Sequence, residues 1–218
     1  MTYNQSFYVF GDNTFSNRGF TWATSIHPRS EVFHQICSKC GSVKYYPKGA
    51  FDVTLEKGSK YPDILGCGTY PFLIVSRKVI EAWQEVGIRR FHTYDVRIAE
   101  IKSVKLRDLP RPQYCRVEID GSCLIDFEAS GARIVKSCSE CNHLVTHPSV
   151  LNGFRMVSGS WDGSSLFRDQ VHYPMVSFCT TNIIEVAFQY QLTNFRFEPM
   201  EGPFNLGNKG IDYLAGHI

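Results

Sequence analysis

Two of the spacings in this chain are suited to chemistry: Cys37-Ser-Lys-Cys40 and Cys138-Ser-Glu-Cys141. A metal knuckle needs two thiolates about one turn apart with backbone amides pointing at sulfur. The residue after the second cysteine of such a turn often takes a positive φ; here it is Gly41, which adopts that conformation freely, and Asn142, which tolerates it. Two pairs supply four sulfurs, the complement of a closed tetrahedral structural site, provided the fold brings them together. A thioredoxin-like redox role would instead place the pair at a helix N-terminus after a strand, where the dipole lowers the thiol pKa. The stretch "HQICSKCGSVKYYPKG" runs into turn and strand residues, and redox chemistry would not explain two copies. Thiols that only pack are the remaining alternative. His143 lies close enough to Cys141 in sequence to replace one thiolate.

Other chemistry is sparsely signalled. The chain has no phosphate loop, dinucleotide fingerprint, nucleophile elbow or zinc-protease helix. Cys67 sits between two glycines in "LGCGTYP", a setting that resembles a nucleophile turn. Nothing in the sequence singles out a partner for it among His27, His34, His92, His143, His147, His172 and His217. Cys67, Cys115, Cys123 and Cys179 read as small core or surface residues. The balance favours binding over catalysis.

The elements that must position these cysteines come from a chain of 218 residues, long enough to bury a core without disulfides. Its hydrophobic fraction of 43% and charged fraction of 20% are those of an ordered globular protein. The N-terminus has no basic start leading into an apolar run, and no stretch approaches the roughly 18 apolar residues of a membrane span. The expectation is a soluble, cytoplasmic protein whose thiols stay reduced. A formal charge of +2 gives no strong footprint for a polyanion, and the run Lys102, Lys105, Arg107 and Arg111 reads as a solvated face.

An internal repeat organises the rest. "VIEAWQEVGIRRFHTYDV" (79–96) aligns without a gap on "IIEVAFQYQLTNFRFEPM" (183–200), with Ile80 on Ile184, Glu81 on Glu185 and Phe91 on Phe195. Each copy has an apolar segment before it, "PFLIVS" and "YPMVSF", and a cysteine pair upstream. Ser76 is placed to cap a helix carrying Val79, Ile80, Trp83 and Val86 on one face, ended by Gly87 and followed by a strand from Arg89 to about Val96. Thr180 or Thr181 is placed to cap the second helix, which presents Ile183, Ile184, Ala187 and Phe188 before the strand "NFRFEP". Between the copies, "YCRVEIDGSCLIDF" predicts a hairpin turning at Asp120-Gly121, with Ile119 opposite Ser122 and Cys115 facing away from Cys123. The predicted class is α+β: two related strand-helix-strand units, residues 1–110 and 111–218, with a central β-hairpin and two CxxC knuckles, packed as one compact unit.

The two cysteine pairs, "VSRKVIEAWQEVGIRRF" and "SSLFRDQVHYPMVSFCTTNIIEVAFQYQLTNFRFEP" resemble the bacterial double-CXXCG motif proteins, a family that includes immunity proteins of contact-dependent, polymorphic toxin systems of the myxobacterial type. The likeness spans roughly Cys37 to Glu201. Cys37, Cys40 and Gly41 match the first family motif; Cys138 and Cys141 match the second, where Asn142 replaces the glycine. The resemblance implies a small cytoplasmic protein, made beside a toxin, that binds and neutralises it without catalysis of its own; the cysteine pairs themselves suggest that Cys37, Cys40, Cys138 and Cys141 hold one structural zinc. Two other readings compete with it: a zinc-ribbon nucleic-acid module, and an enzyme using a cleft between the repeats near Cys67 or a histidine. Trp22, Trp161, Tyr45, Tyr46, Tyr61 and Phe167 are expected in loops, as exposed anchors or covers of the core edge. The modest net charge suggests a toxin that is not strongly basic.

Overall fold

Leu73, Ile74 and Val75 are consecutive and all buried, so the strand that carries them must be covered on both faces. The computed structural model describes residues 6–13, 19–26, 32–47, 49–67, 73–147 and 153–202. In chain order these form β1 (Phe7–Asp12), β2 (Ala23–Ile26), β3 (Val32–Ile36), β4 (Val43–Pro47), β5 (Phe51–Leu55), β6 (Ile64–Leu65), β7 (Leu73–Ser76), α1 (Arg77–Glu85), β8 (Phe91–Ile101), α2 (Val104–Arg107) and β9 (Tyr114–Ile119). There follow β10 (Ser122–Cys123), β11 (Arg133–Ser137), β12 (Leu144–His147), β13 (Leu166–Asp169), β14 (Tyr173–Thr180), α3 (Thr181–Gln189) and β15 (Phe195–Pro199). One sheet has the order β2-β5-β8-β9-β7-β6 and the other β10-β13-β14-β1-β15; β3-β4 and β11-β12 are separate two-stranded ribbons. The class is α+β, as the sequence predicts.

Strand alternation distributes the side chains among three cores. Leu73, Val75, Cys115 and Val117 from the first sheet meet Phe10, Leu166, Cys179 and Phe197 from the second, together with Val79, Ile80 and Trp83 of α1 and Ile183, Ile184 and Ala187 of α3. Their odd-even neighbours Ile74, Leu65 and Tyr114 face a second cluster with Val53 and Leu55. On the far face of the other sheet, Phe167 and Phe178 pack with Phe154 and Ile125. Both main helices therefore sit in a core shared by the two sheets. Val86 and Phe188 are exposed rather than on the buried stripe, because α1 ends at Glu85 with Val86 as its C-cap, and because Val186 takes the inward position on α3.

The two halves end their helices in the same way. Gly87 donates to Gln84 O (3.1 Å) and Ile88 to Trp83 O (2.8 Å); Gln191 donates to Phe188 O (3.1 Å) and Leu192 to Ala187 O (2.8 Å). This is the Schellman pattern, which needs a positive φ at the first residue beyond the cap, here 81° at Gly87 and 50° at Gln191. A second positive φ recurs just before each following strand, 69° at Arg90 and 66° at Asn194.

The repeat extends beyond what the sequence displays. In the first half, β7-α1-β8 leaves a gap between its parallel strands, and β9 fills it, pairing antiparallel with both. In the second half, β14-α3-β15 leaves the same gap, filled by β1. The registers correspond: Ser76 opposes Tyr114 as Thr180 opposes Phe7, and Phe91 opposes Ile119 as Phe195 opposes Asp12. β1 and β9 stand at the start of their respective halves, so each half places its first strand in the other's sheet. The equivalence continues at the edges, where Ala23 pairs with Leu55 and Ile125 bridges to Met156.

This exchange corrects the predicted hairpin. Ile119 pairs with Phe91 and Ser122 with Arg168, so the chain passes from one sheet to the other at Asp120-Gly121. Both edges of β9 are already occupied by β7 and β8, which leaves no position for a returning strand. Gly121 is required for a different reason: a Cβ there would lie 1.9 Å from Leu166 O and 2.7 Å from Ser164 Cβ. Cys115 and Cys123 lie in separate sheets and separate cores.

Candidate metal centre

Each cysteine pair is carried on the turn of a two-stranded ribbon. β3 and β4 close on Ile36 and Val43, and β11 and β12 on Ser137 and Leu144. Within the first turn Cys37 N donates to Ser42 O and Gly41 N to Cys37 O, both at 2.9 Å. The second repeats this with Cys138 N to His143 O and Asn142 N to Cys138 O, again at 2.9 Å. Gly41 has φ 70° and Asn142 φ 56°, so asparagine supplies the conformation that glycine supplies in the first copy.

The two turns meet face to face. The sulfurs of Cys37, Cys40, Cys138 and Cys141 all lie within 4.8 Å of one another. Cys37 Sγ is 3.7 Å from Cys138 Sγ, and Cys40 Sγ is 3.4 Å from Cys141 Sγ. Four sulfurs at about 2.3 Å from a common centre would be about 3.8 Å apart in a tetrahedron. The donor set and its spacing therefore fit a metal ion.

Polar side chains lock the turns together. Lys39 Nζ donates to Ser139 Oγ (2.7 Å), and Ser38 Oγ to Glu140 Oε2 (3.1 Å). Ser42 Oγ lies 3.2 Å from Cys40 Sγ and 3.3 Å from Cys141 Sγ, bridging the halves at the sulfurs themselves. The Ser42 hydroxyl and amide hold the Cys40 thiol down to about 6. The same hydroxyl, followed by the His143 amide, lowers Cys141. The Cys40 amide pulls Cys37 down, but desolvation and the neighbouring thiols carry it up to about 11. Thiolate is the form that ligates a metal, so an ion bound here would have to displace the proton that Cys37 holds. Beside it opens a cleft of about 330 Å³ lined by Gln35, Ile36, Cys37, Ser38, Ser42, Glu140 and Cys141.

Among the described residues none of the other sequence candidates adds a side chain to the four-sulfur cluster, and His27 and His217 lie outside the described residues. His143 contributes its backbone to the turn and leaves its side chain exposed. Cys67 is 5% exposed within the second core cluster. Cys115, Cys123 and Cys179 are buried; desolvation raises all three thiols, Cys123 to about 12. Lys102, Lys105, Arg107 and Arg111 are exposed around the short α2, with Lys102 paired to Glu56 at 2.8 Å. Tyr45 and Tyr46 belong to β4, and Phe167 is fully buried on β13, so these three are not loop residues; alternation on β13 turns Phe167 into the core. Tyr61 donates its hydroxyl to Leu106 O (2.8 Å), and Trp161 packs edge-on against Phe7. Sequence reasoning missed Ser42 and Glu140; only the place of Glu140 inside the second motif and of Ser42 two residues beyond Cys40 could have suggested them.

No family model matches this chain, and no curated protein is similar to it in sequence. Among the described residues no helix is long and apolar enough to cross a membrane.

Proposed function

We propose that this chain is a cytoplasmic immunity protein that binds and neutralises a cognate bacterial toxin domain without catalysis of its own. The observation that carries the reading is the convergence of Cys37, Cys40, Cys138 and Cys141, the residues on which the double-CXXCG resemblance rests. An inhibitor needs a rigid surface more than a reactive group. Here the centre makes one body of two ribbons that stand outside both main sheets. We assign the ion as one structural zinc: four thiolates with no open position favour it, and when bound it would clip the halves together. The test is a calorimetric titration against the catalytically inactive C-terminal domain of the protein encoded beside this one. Nanomolar one-to-one binding is expected; no binding between folded partners of known metal content would end the immunity reading.

A second reading rests on Lys39, Arg133 and Lys136, all exposed on the ribbons, where among the described residues they face a single acid, Glu140. A zinc-ribbon nucleic-acid module would use them on phosphates, and its affinity would fall steeply with salt. Salt-insensitive or absent binding to DNA and RNA removes it.

A further inference from the structure

The centre joins the two halves of the chain, and its sulfurs are close enough for chemistry among themselves. Two close sulfur contacts, Cys37 with Cys138 at 3.7 Å and Cys40 with Cys141 at 3.4 Å, both cross between ribbons and connect equivalent positions of the repeat. A disulfide needs its sulfurs at about 2.05 Å, so each crossing pair must close by roughly another 1.5 Å. The Lys39-Ser139 and Ser38-Glu140 bonds already hold the turns face to face. Bonding within a pair would instead tighten one turn against the two backbone hydrogen bonds that fix it.

We propose that the metal-free centre is a site of oxidative cross-linking, in which Cys37 bonds Cys138 and Cys40 bonds Cys141. The co-reactant is a peroxide. One thiolate attacks the peroxide, the O–O bond breaks, and the sulfur becomes a sulfenic acid as hydroxide leaves. The facing thiolate then attacks that sulfur, the S–S bond forms, and the S–O bond breaks with loss of a second hydroxide. The two thiol protons convert both hydroxides to water, so each disulfide consumes one peroxide and leaves two waters. Each bond would tie positions 101 residues apart, so the clip persists covalently after the metal is lost. The proposal rests on the cluster being a clip between the halves and on no particular partner.

The sequence makes the linkage readable. Lys39 separates Cys37 from Cys40, and Glu140 separates Cys138 from Cys141. Trypsin with a glutamate-specific protease therefore puts every thiol of the centre on its own peptide. Full-length protein is assayed for metal, stripped with a chelator, treated with stoichiometric hydrogen peroxide, alkylated and digested without reductant. Mass spectrometry is expected to find Cys37 linked to Cys138 and Cys40 to Cys141, with Cys67, Cys115, Cys123 and Cys179 unlinked. Linkage within each pair, diagonal linkage, or four singly oxidised thiols would overturn the proposal. The double variant Cys37→Ser with Cys138→Ser, shown to be folded by circular dichroism, should retain the Cys40 to Cys141 bond, and failure to form it also counts against the proposal. A preparation that never contained metal would refute the zinc assignment and leave this result standing, because the reaction begins from free thiols.

Discussion

Single residues carry conformations that their types only partly favour. Gln191 occupies the left-handed position that Gly87 fills in the other half. That geometry costs a non-glycine residue about 1–2 kcal/mol, while glycine's extra unfolded-state entropy returns about half of it. Gln191→Gly should stabilise the protein by about 0.5 kcal/mol in denaturant titration. Asn142 at the second knuckle is already a tolerated type, which is why a motif lacking its glycine still builds the turn. Asp162 shows a different economy: it accepts from Ser122 N (2.8 Å) and Ser164 N (3.0 Å), and faces Arg90 at 3.1 Å. Burial pushes its carboxyl up, but the Ser164 hydroxyl and the amides of Ser164 and Ser122 outweigh this and leave it lowered. A depressed carboxylate contributes stability that is complete above its unfolded value of 3.8 and is lost as pH falls through the lowered folded value. Asp162→Asn should therefore flatten the acid limb of a stability-pH profile below about pH 4, while the wild type keeps it.

At the level of elements, the turn at residue 121 is where the two sheets are joined. Gly121→Ala would drive a methyl group into Leu166 O, a backbone atom that cannot rotate away. A loss of about 3 kcal/mol is expected in thermal or chemical unfolding. The same position explains what the sequence concealed. The knuckles and both helices were legible because their signals are local: cysteine spacing, an apolar stripe, a glycine; Ser76 and Thr180 do stand at the N-cap positions, but neither side chain makes the expected cap hydrogen bond. β-Strand partners are not local information. The apolar-polar alternation of residues 114–127 is real, but it serves β9 in one sheet and β10 in the other. The equivalence of β1 and β9 left no trace because their facing residues differ. Val9 packs on an apolar cluster, whereas the matching Arg116 is 2% exposed and stacks 4.1 Å from the Tyr94 ring centroid.

For the whole molecule, the four-cysteine centre is a tie between halves already joined by exchanged strands and a common core. If the centre holds an ion, as proposed, removing it should loosen the ribbons without unfolding the sheets. For a chain of this length about 1 kcal/mol moves the melting temperature by roughly 2–4 °C. A clip contributing a few kcal/mol predicts a fall of about 10 °C on chelation, read by calorimetry with metal content measured alongside. An unchanged melting curve after confirmed removal would show that the centre carries no stability. The halves are further joined away from the centre by Asp63, which accepts from Thr193 N (2.9 Å) and from Ser76 Oγ (2.8 Å).

The strand exchange also orders events in time. β1 is synthesised before every other described strand, yet its sheet partners, β14 and β15, are the last two of the described strands to be made. Until then Phe7, Val9 and Phe10 have no sheet to enter, and the second sheet cannot acquire the strand between β14 and β15 by any local route. Closure that spans from Phe7 to Thr180 is a long-range contact of the slowest kind to form. The first half meets no such delay beyond β9, so its sheet can stand as the surface on which the second is completed. During translation the nascent chain must therefore carry an unpaired apolar strand until β14 and β15 have emerged, a period in which a chaperone would be most useful to it.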